Sequence, residues 1–142
     1  MRQELYDKLK EALQGISNGY IKHIDLWNRN VEFIEEDTPW ERPAVFIEFD
    51  PVKWVDVVPG VEYRAEATVR LHIITDWTNE SDEDAVIDQF VLPELIHEVL
   101  AGLEGDTFKD LRLSESITNH NHEEIIESIE VYSFVAFKSL SE

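Results

Sequence analysis

The sequence contains no cysteine and is poor in glycine and proline, with five of each among 142 residues. The missing cysteines exclude disulfide bridges, thiolate metal ligands and cysteine nucleophiles, which fits a reducing compartment. The scarce glycines leave little material for a phosphate-binding loop. No apolar run approaches the roughly 20 residues that a membrane-spanning helix needs, and the N-terminus has no apolar signal core. The sequence therefore predicts a soluble protein without an export signal.

Positive charge is also scarce, since 12 Lys and Arg stand against 31 Asp and Glu and the formal net charge is −19. No Lys or Arg occurs between Arg70 and Lys109, an interval that is rich in Asp and Glu. Nucleic-acid binding depends chiefly on Lys and Arg contacts with phosphate groups. We therefore expect no sequence-specific binding of DNA or RNA.

Apolar residues are plentiful, at 43% of the chain with 11% aromatic. A chain of this size and composition buries a core of its own. No tandem repeat, low-complexity tract or flexible linker divides the sequence. We therefore expect a single domain over residues 1–142.

Two segments have the pattern of helices. Apolar residues from Leu5 to Ile16 recur at helical spacing and form one stripe. The second helix is predicted to begin at Ser81, where a hydroxyl and three following carboxylates suit a helix N-terminus, and to end near Leu103. Pro93 lies in the middle of this run, which predicts a kink or a division of the helix.

Alternation of apolar and polar residues indicates strands in the rest of the chain. The signal is strongest from Glu62 to Asp76, clear after Pro43 and weak from Tyr20 to Trp27. Two further strands flank the polar stretch from Asn119 to Glu124. We expect an α+β domain with a mainly antiparallel sheet of about four to five strands and two helices packed on one face.

Tryptophans and one polar strand face provide a candidate interface. Tryptophan is enriched at contact surfaces because it combines a large area with a polar handle. Charged side chains that alternate along the longest strand are placed to pair with a neighbour, or to face water. The rings equally suit the edges of the core. The candidate interface residues are Trp40, Trp54, Trp77, Arg64, Arg70 and His72.

The segment from His120 to Glu124 resembles a metal site most, because His120, His122 and adjacent carboxylates are ligand types for zinc or iron. A metal-dependent hydrolase is one interpretation of this segment, and a polar turn is the other. None of the common nucleophile, zinc-protease, phosphate-loop or dinucleotide motifs occurs. We therefore expect no enzyme activity, no metal and no cofactor.

Three segments resemble tail terminator or tail-completion proteins of long-tailed phages and prophages, especially those of Bacteroides-type bacteria. They are Pro43–Phe49 after a loop with Trp40, Val69–Asp76, and the helix end Leu100–Leu103. The resemblance extends from Leu5 to Phe137 in the order and length of the segments. It implies a compact α+β subunit without an active site.

The resemblance also implies a role in assembly. Proteins of this family form a ring, commonly a hexamer, that stops growth of the tail tube and contacts neck proteins. The expected location is the cytoplasm of the bacterial host and then the virion tail. An acidic lumen would let DNA pass by like-charge repulsion, but the same charge opposes ring assembly unless it is screened. The alternative function is an acidic module that mimics nucleic acid and inhibits a basic partner protein.

Overall fold

The computed structural model describes residues 1–16, 19–27, 41–76, 83–119 and 125–140. Within these residues the helices are α1 (Arg2–Gln14) and α2 (Glu83–Leu100). The strands are β1 (His23–Leu26), β2 (Ala44–Phe49), β3 (Val55–Val58), β4 (Glu62–Asp76), β5 (Phe108–Asn119) and β6 (Ile125–Ser139).

These strands form one six-stranded sheet with the order β1-β2-β4-β6-β5, and β3 pairs with β4 beside that path. The pair β1–β2 is parallel, and the other described pairs are antiparallel. The α+β class and the mainly antiparallel sheet are confirmed. The expected four to five strands are too few, because the weak segment at β1 and the short β3 both join the sheet.

The helix α1 forms because its leucines recur every four residues and share one side of the helix. Leu5, Leu9 and Leu13 are completely buried. They belong to one core cluster with buried residues of α2 and of the central strands. Burying a leucine side chain contributes roughly 1.5–3 kcal/mol. A helix as short as α1 is marginally stable on its own in water, so most of its stability comes from this cluster.

The first turn of α1 is joined to the segment before β5. The Glu4 carboxylate accepts hydrogen bonds from the Thr107 hydroxyl at 2.6 Å, the Thr107 backbone N–H at 2.8 Å and the Asp106 backbone N–H at 3.0 Å. The Thr107 hydroxyl is the largest of the influences that lower the pKa of Glu4. These bonds fix the start of the chain against a segment about 100 residues away.

The helix α2 continues through Pro93 without a division. Of the two predicted effects of Pro93, a kink or a division, the division does not occur. Leu92 and Ile96 are buried on either side of the proline, at 1% and 0% exposure. Both neighbouring turns are thus anchored to the core, which compensates for the one backbone hydrogen bond that proline removes.

The register of β6 determines which of its side chains enter the main core. Tyr132, Phe134 and Ala136 pair with residues on the apolar side of β4 and belong to the cluster that contains both helices. Because strand side chains alternate, Ser128 and Glu130 lie on this same core side. The pairing therefore places a carboxylate next to α2.

The opposite side of the sheet carries a small second cluster of Ala44, Phe46 and Ile74, with Trp27 packed against it. Strand β2 is buried on both sides here, which is why its sequence is almost continuously apolar.

Candidate functional site

A cavity of about 540 Å³ lies between α2 and the strands β5 and β6. We call it the α2 cavity. It is lined by Phe90, Pro93, Glu94, His97, Leu113, Ser116, Thr118, Ile126, Ser128 and Glu130. Its volume falls within the roughly 300–1,000 Å³ that is usual for ligand pockets, and its lining mixes apolar surface with a few polar groups.

Glu130 is the buried acid of this cavity, with 7% of its surface exposed. The Ser116 hydroxyl on the neighbouring strand donates a hydrogen bond to its carboxylate. Burial raises the pKa of Glu130, while the Ser116 hydrogen bond and the nearby His97 oppose that rise. The cavity therefore contains a buried carboxyl group that accepts a hydrogen bond from Ser116.

Tyr132 lies next to this acid and is completely buried. Its hydroxyl has no hydrogen-bond partner among the described residues. Its ring centroid lies 6.1 Å from that of His97 on α2. Burial raises the pKa of the Tyr132 hydroxyl, and the Glu130 charge adds to the effect.

The mouth of the α2 cavity is apolar and open to solvent. Phe90 is 69% exposed and Leu113 is 37% exposed, although both are large hydrophobic residues. Strand β5 has register shifts between Lys109 and Arg112 and between Leu113 and Glu115. Bulges of this kind turn side chains away from simple alternation, which explains why Leu113 is not in the core.

His72, a predicted interface residue, is buried with 5% exposure. Its Nδ1 lies 2.6 Å from a Glu127 carboxylate oxygen, and its Nε2 lies 2.7 Å from one of Glu48. The Trp27 ring stacks on the imidazole with centroids 3.7 Å apart and planes 2° apart. His72 thus belongs to an internal network, whereas the alternation along β4 placed it among residues that pair with a neighbour or face water.

Arg70 and Arg64 lie further along the same side of β4. The Arg70 Nε donates to both oxygens of Asp50 at 3.2 Å, and Thr68 donates to the same carboxylate at 2.5 Å. Arg64 is exposed and lines a shallow groove together with Arg112. The structure therefore separates the predicted polar face into an internally paired part and an accessible part.

Trp54 is partly buried and packs against the main core just before β3. This agrees with the alternative in which the ring closes a core edge. Trp40 and Trp77 lie outside the described residues, as do His120 and His122. The described candidates do not converge on one site.

A second exposed apolar surface was not anticipated from the sequence. We call it the arm: residues 55–64, which comprise β3, the following turn and the start of β4. Val55, Val57 and Val58 are 66%, 59% and 43% exposed, and Leu140 beside the turn is 62% exposed. Gly60 makes the turn with a φ of 70°, a conformation that costs glycine little. Within the described sheet the outer edge of β3 has no strand partner.

Two further findings concern the described residues alone. They contain no grouping of three or more His, Asp or Glu side chains that is arranged to hold a metal ion. Neither of their helices combines the length and the apolar character that crossing a membrane requires.

The fold is similar to that of a chain in the solved structure described as "Virion of native gene transfer agent (GTA) particle". The two chains are 10% identical, and the TM-score is 0.56. The alignment covers 94% of this chain and 95% of that chain. No protein-family model and no curated protein matches the sequence. The likeness establishes a shared fold that extends over nearly the whole of both chains.

Proposed function

We propose that this chain is a structural component of a phage-type virion. The observation that carries the proposal is the structural likeness to a chain of a gene transfer agent virion, at a TM-score of 0.56 over 94% of this chain. The likeness covers 95% of the other chain as well, so it is not confined to one shared motif.

We further propose that the chain is a tail terminator that forms a ring, commonly of six copies, at the end of a tail tube. The sequence resemblance to tail terminators, given above, supports this more specific role. The exposed valines of the arm support it independently. An uncovered apolar edge strand is a liability for a chain that stays alone, and assembly with another chain covers it. In this role the protein acts by shape and association and has no catalytic activity.

The arrangement of the core is compatible with a subunit of this kind. We infer that both helices cover one face of the sheet, because buried residues of α1 and α2 belong to a single core cluster. The other face, which carries Arg64 and Arg112, then remains available for contacts.

Native mass spectrometry combined with negative-stain electron microscopy tests the ring. We expect a closed ring of identical copies, at a mass that is an integral multiple of the 16.6 kDa chain. A monomer at every protein concentration and salt concentration would contradict ring formation.

The same samples distinguish the alternative function of an acidic inhibitor. The net charge of −19 is the observation that favours it. An acidic inhibitor would stay monomeric and would bind a basic nuclease saturably, with release at high salt. Ring formation without such binding would reject this alternative.

A further inference from the structure

We propose that the arm of one copy docks into the α2 cavity of the next copy, so that the copies associate head to tail. This inference rests on the proposed function, because it names the two surfaces through which a ring would close. In this arrangement another copy of the chain covers each of the two exposed apolar surfaces.

The two surfaces lie at opposite ends of the long central strands. The arm pairs with the first residues of β4, since Val58 is opposite Glu62 and Val55 is opposite Arg64. The floor of the cavity is paired with the far end of β4, where Glu130 is opposite Leu71 and Ser128 is opposite Ile73. Nine residues separate positions 63 and 72, which is about 30 Å at a strand rise of about 3.3 Å per residue.

Different surfaces at opposite ends are what a head-to-tail contact requires. Each copy then contributes its arm to one neighbour and its cavity to the other. The copies form a closed ring when a whole number of them completes one full turn. A symmetric dimer would instead use one surface twice and would leave the other surface exposed.

The apolar groups of the two surfaces complement each other. The arm presents Val55 and Val57 on an extended backbone, both more than half exposed. The cavity mouth presents Phe90 and Leu113, with Pro93 and Ile126 deeper in the same lining. Docking removes both sets from water, and the unpaired edge of β3 gains the chance to pair with backbone of the neighbour.

Charge favours the same pairing of surfaces. Residues 53–64 carry two cations, Lys53 and Arg64, and two anions, Asp56 and Glu62, so this part of a chain with net charge −19 is neutral. The cavity is lined by the carboxylates of Glu94 and Glu130. The arm together with Lys53, which lies two residues before it, is neutral and approaches these acids without the net repulsion that more acidic parts of the chain would meet.

Cysteine cross-linking tests the contact directly, because the chain has no cysteine of its own. A Val57→Cys chain is mixed with an affinity-tagged Thr118→Cys chain, and disulfide formation is followed on non-reducing gels. Thr118 lies at the cavity, and in a single chain it is far from Val57. Bridging requires Cα atoms within about 7 Å, so only docked neighbours form the mixed product efficiently.

The matched control is the same Val57→Cys chain mixed with tagged Glu11→Cys, whose position is exposed on α1 and away from both surfaces. We expect the mixed disulfide with Thr118→Cys to form at least about tenfold faster, because docking raises the effective concentration of the two thiols. Equal rates for the two mixtures would overturn the proposed contact.

A charge substitution provides a second measurement. Val57→Glu adds a negative charge at the arm, which the cavity acids repel, and Val99→Glu adds the same charge at a valine of α2 that is 39% exposed and does not line the cavity. We expect Val57→Glu to weaken association at least about tenfold by light scattering, with an unchanged melting temperature. Val99→Glu is expected to assemble as the unmodified chain does.

The failure of this inference is distinguishable from failure of the proposed function. Rings that persist in Val57→Glu, together with equal cross-linking rates, would leave the virion role standing and reject the arm contact. Rapid cross-linking between positions 57 and 118 in open chains that never close would support the contact and reject the ring.

Discussion

At the scale of single residues, His72 is held on three sides by groups of its own chain. Carboxylate oxygens of Glu48 and Glu127 lie 2.7 and 2.6 Å from its two ring nitrogens, and the Trp27 ring covers its face. Glu127 is 3% exposed, and its other oxygen accepts a hydrogen bond from Asn119, so the network extends to β5.

We expect His72→Ala to lower the free energy of unfolding by about 3–5 kcal/mol, because it leaves the buried Glu127 carboxylate without its imidazole partner. Urea unfolding at neutral pH measures the loss. His23→Ala is the control, since His23 is only half-buried and its ion pair with Asp25 spans 3.8 Å. A surface pair of this kind contributes about 1 kcal/mol or less. Similar losses for both variants would show that the network contributes little.

Substitution of Glu130 is expected to stabilise the protein at neutral pH, because burial raises the pKa of this residue above the ordinary value of 4.5. The folded chain favours the protonated acid, so the contribution of Glu130 to stability is fully present below pH 4.5 and is lost as pH rises through the folded pKa. Glu130→Gln is neutral at every pH and retains an acceptor for Ser116. We expect it to raise the melting temperature at pH 7 by a few degrees, about 2–4 °C per kcal/mol.

The pH series provides the check on this prediction. Below pH 4.5 the advantage of Glu130→Gln over the unmodified chain should vanish, since both side chains are then neutral. Glu98→Gln, at an exposed position of α2, should show no such pH-dependent difference. A Glu130→Gln chain that is less stable at pH 7 would indicate that the charge of Glu130 stabilises the fold.

At the scale of secondary structure elements, α1 depends on its leucine stripe for stability. Leu9 is completely buried, and Leu9→Ala should cost about 2–5 kcal/mol of unfolding free energy through lost burial and the remaining cavity. Leu140→Ala makes the same change at a residue that is 62% exposed, and it should cost less than about 0.5 kcal/mol. Chemical unfolding curves measure both, and equal costs would contradict the assigned core.

The central and edge strands of the sheet differ in how well the sequence pattern predicts them. Strand β4 occupies the predicted range, because its alternation is strict and it is paired on both sides. Strand β5 departs from alternation at its two register shifts, and β3 is exposed along its whole length. Edge strands have fewer neighbours to impose a register, so local patterns predict them less well.

At the scale of the whole molecule, the net charge of −19 opposes the proposed association. Copies in the proposed ring would repel one another, and salt reduces this repulsion over distances beyond the Debye length, about 10 Å at 0.1 M and about 3 Å at 1 M. We expect the assembled fraction to increase when sodium chloride rises from about 0.05 M to about 1 M, and with millimolar magnesium.

Light scattering at a fixed protein concentration measures this fraction. An uncharged solute such as sucrose, added at matched viscosity, controls for effects that do not involve charge. Dissociation of the assembly by salt would contradict the expectation and would indicate that ion pairs between copies outweigh their net repulsion.

The sequence by itself determined the α+β class, the order of helices and strands and the leucine stripe of α1. These follow from periodicities of about 3.6 and 2 residues, which are local and remain visible in a single chain. The polar character of alternate β4 residues was equally visible. The partners of these residues were not visible in the sequence, because Glu48 and Glu127 lie 24 and 55 residues away from His72 along the chain.

Only the tertiary structure decided how these elements meet. In β6 both alternate sets contain apolar residues, so the pattern alone did not indicate which set enters the core. Pairing with β4 directs Tyr132 and Phe134 inward and carries Glu130 with them to the α2 cavity. The exposure of the arm likewise depends on where β3 joins the sheet. Both features arise from pairings between distant parts of the chain, which local sequence patterns do not specify.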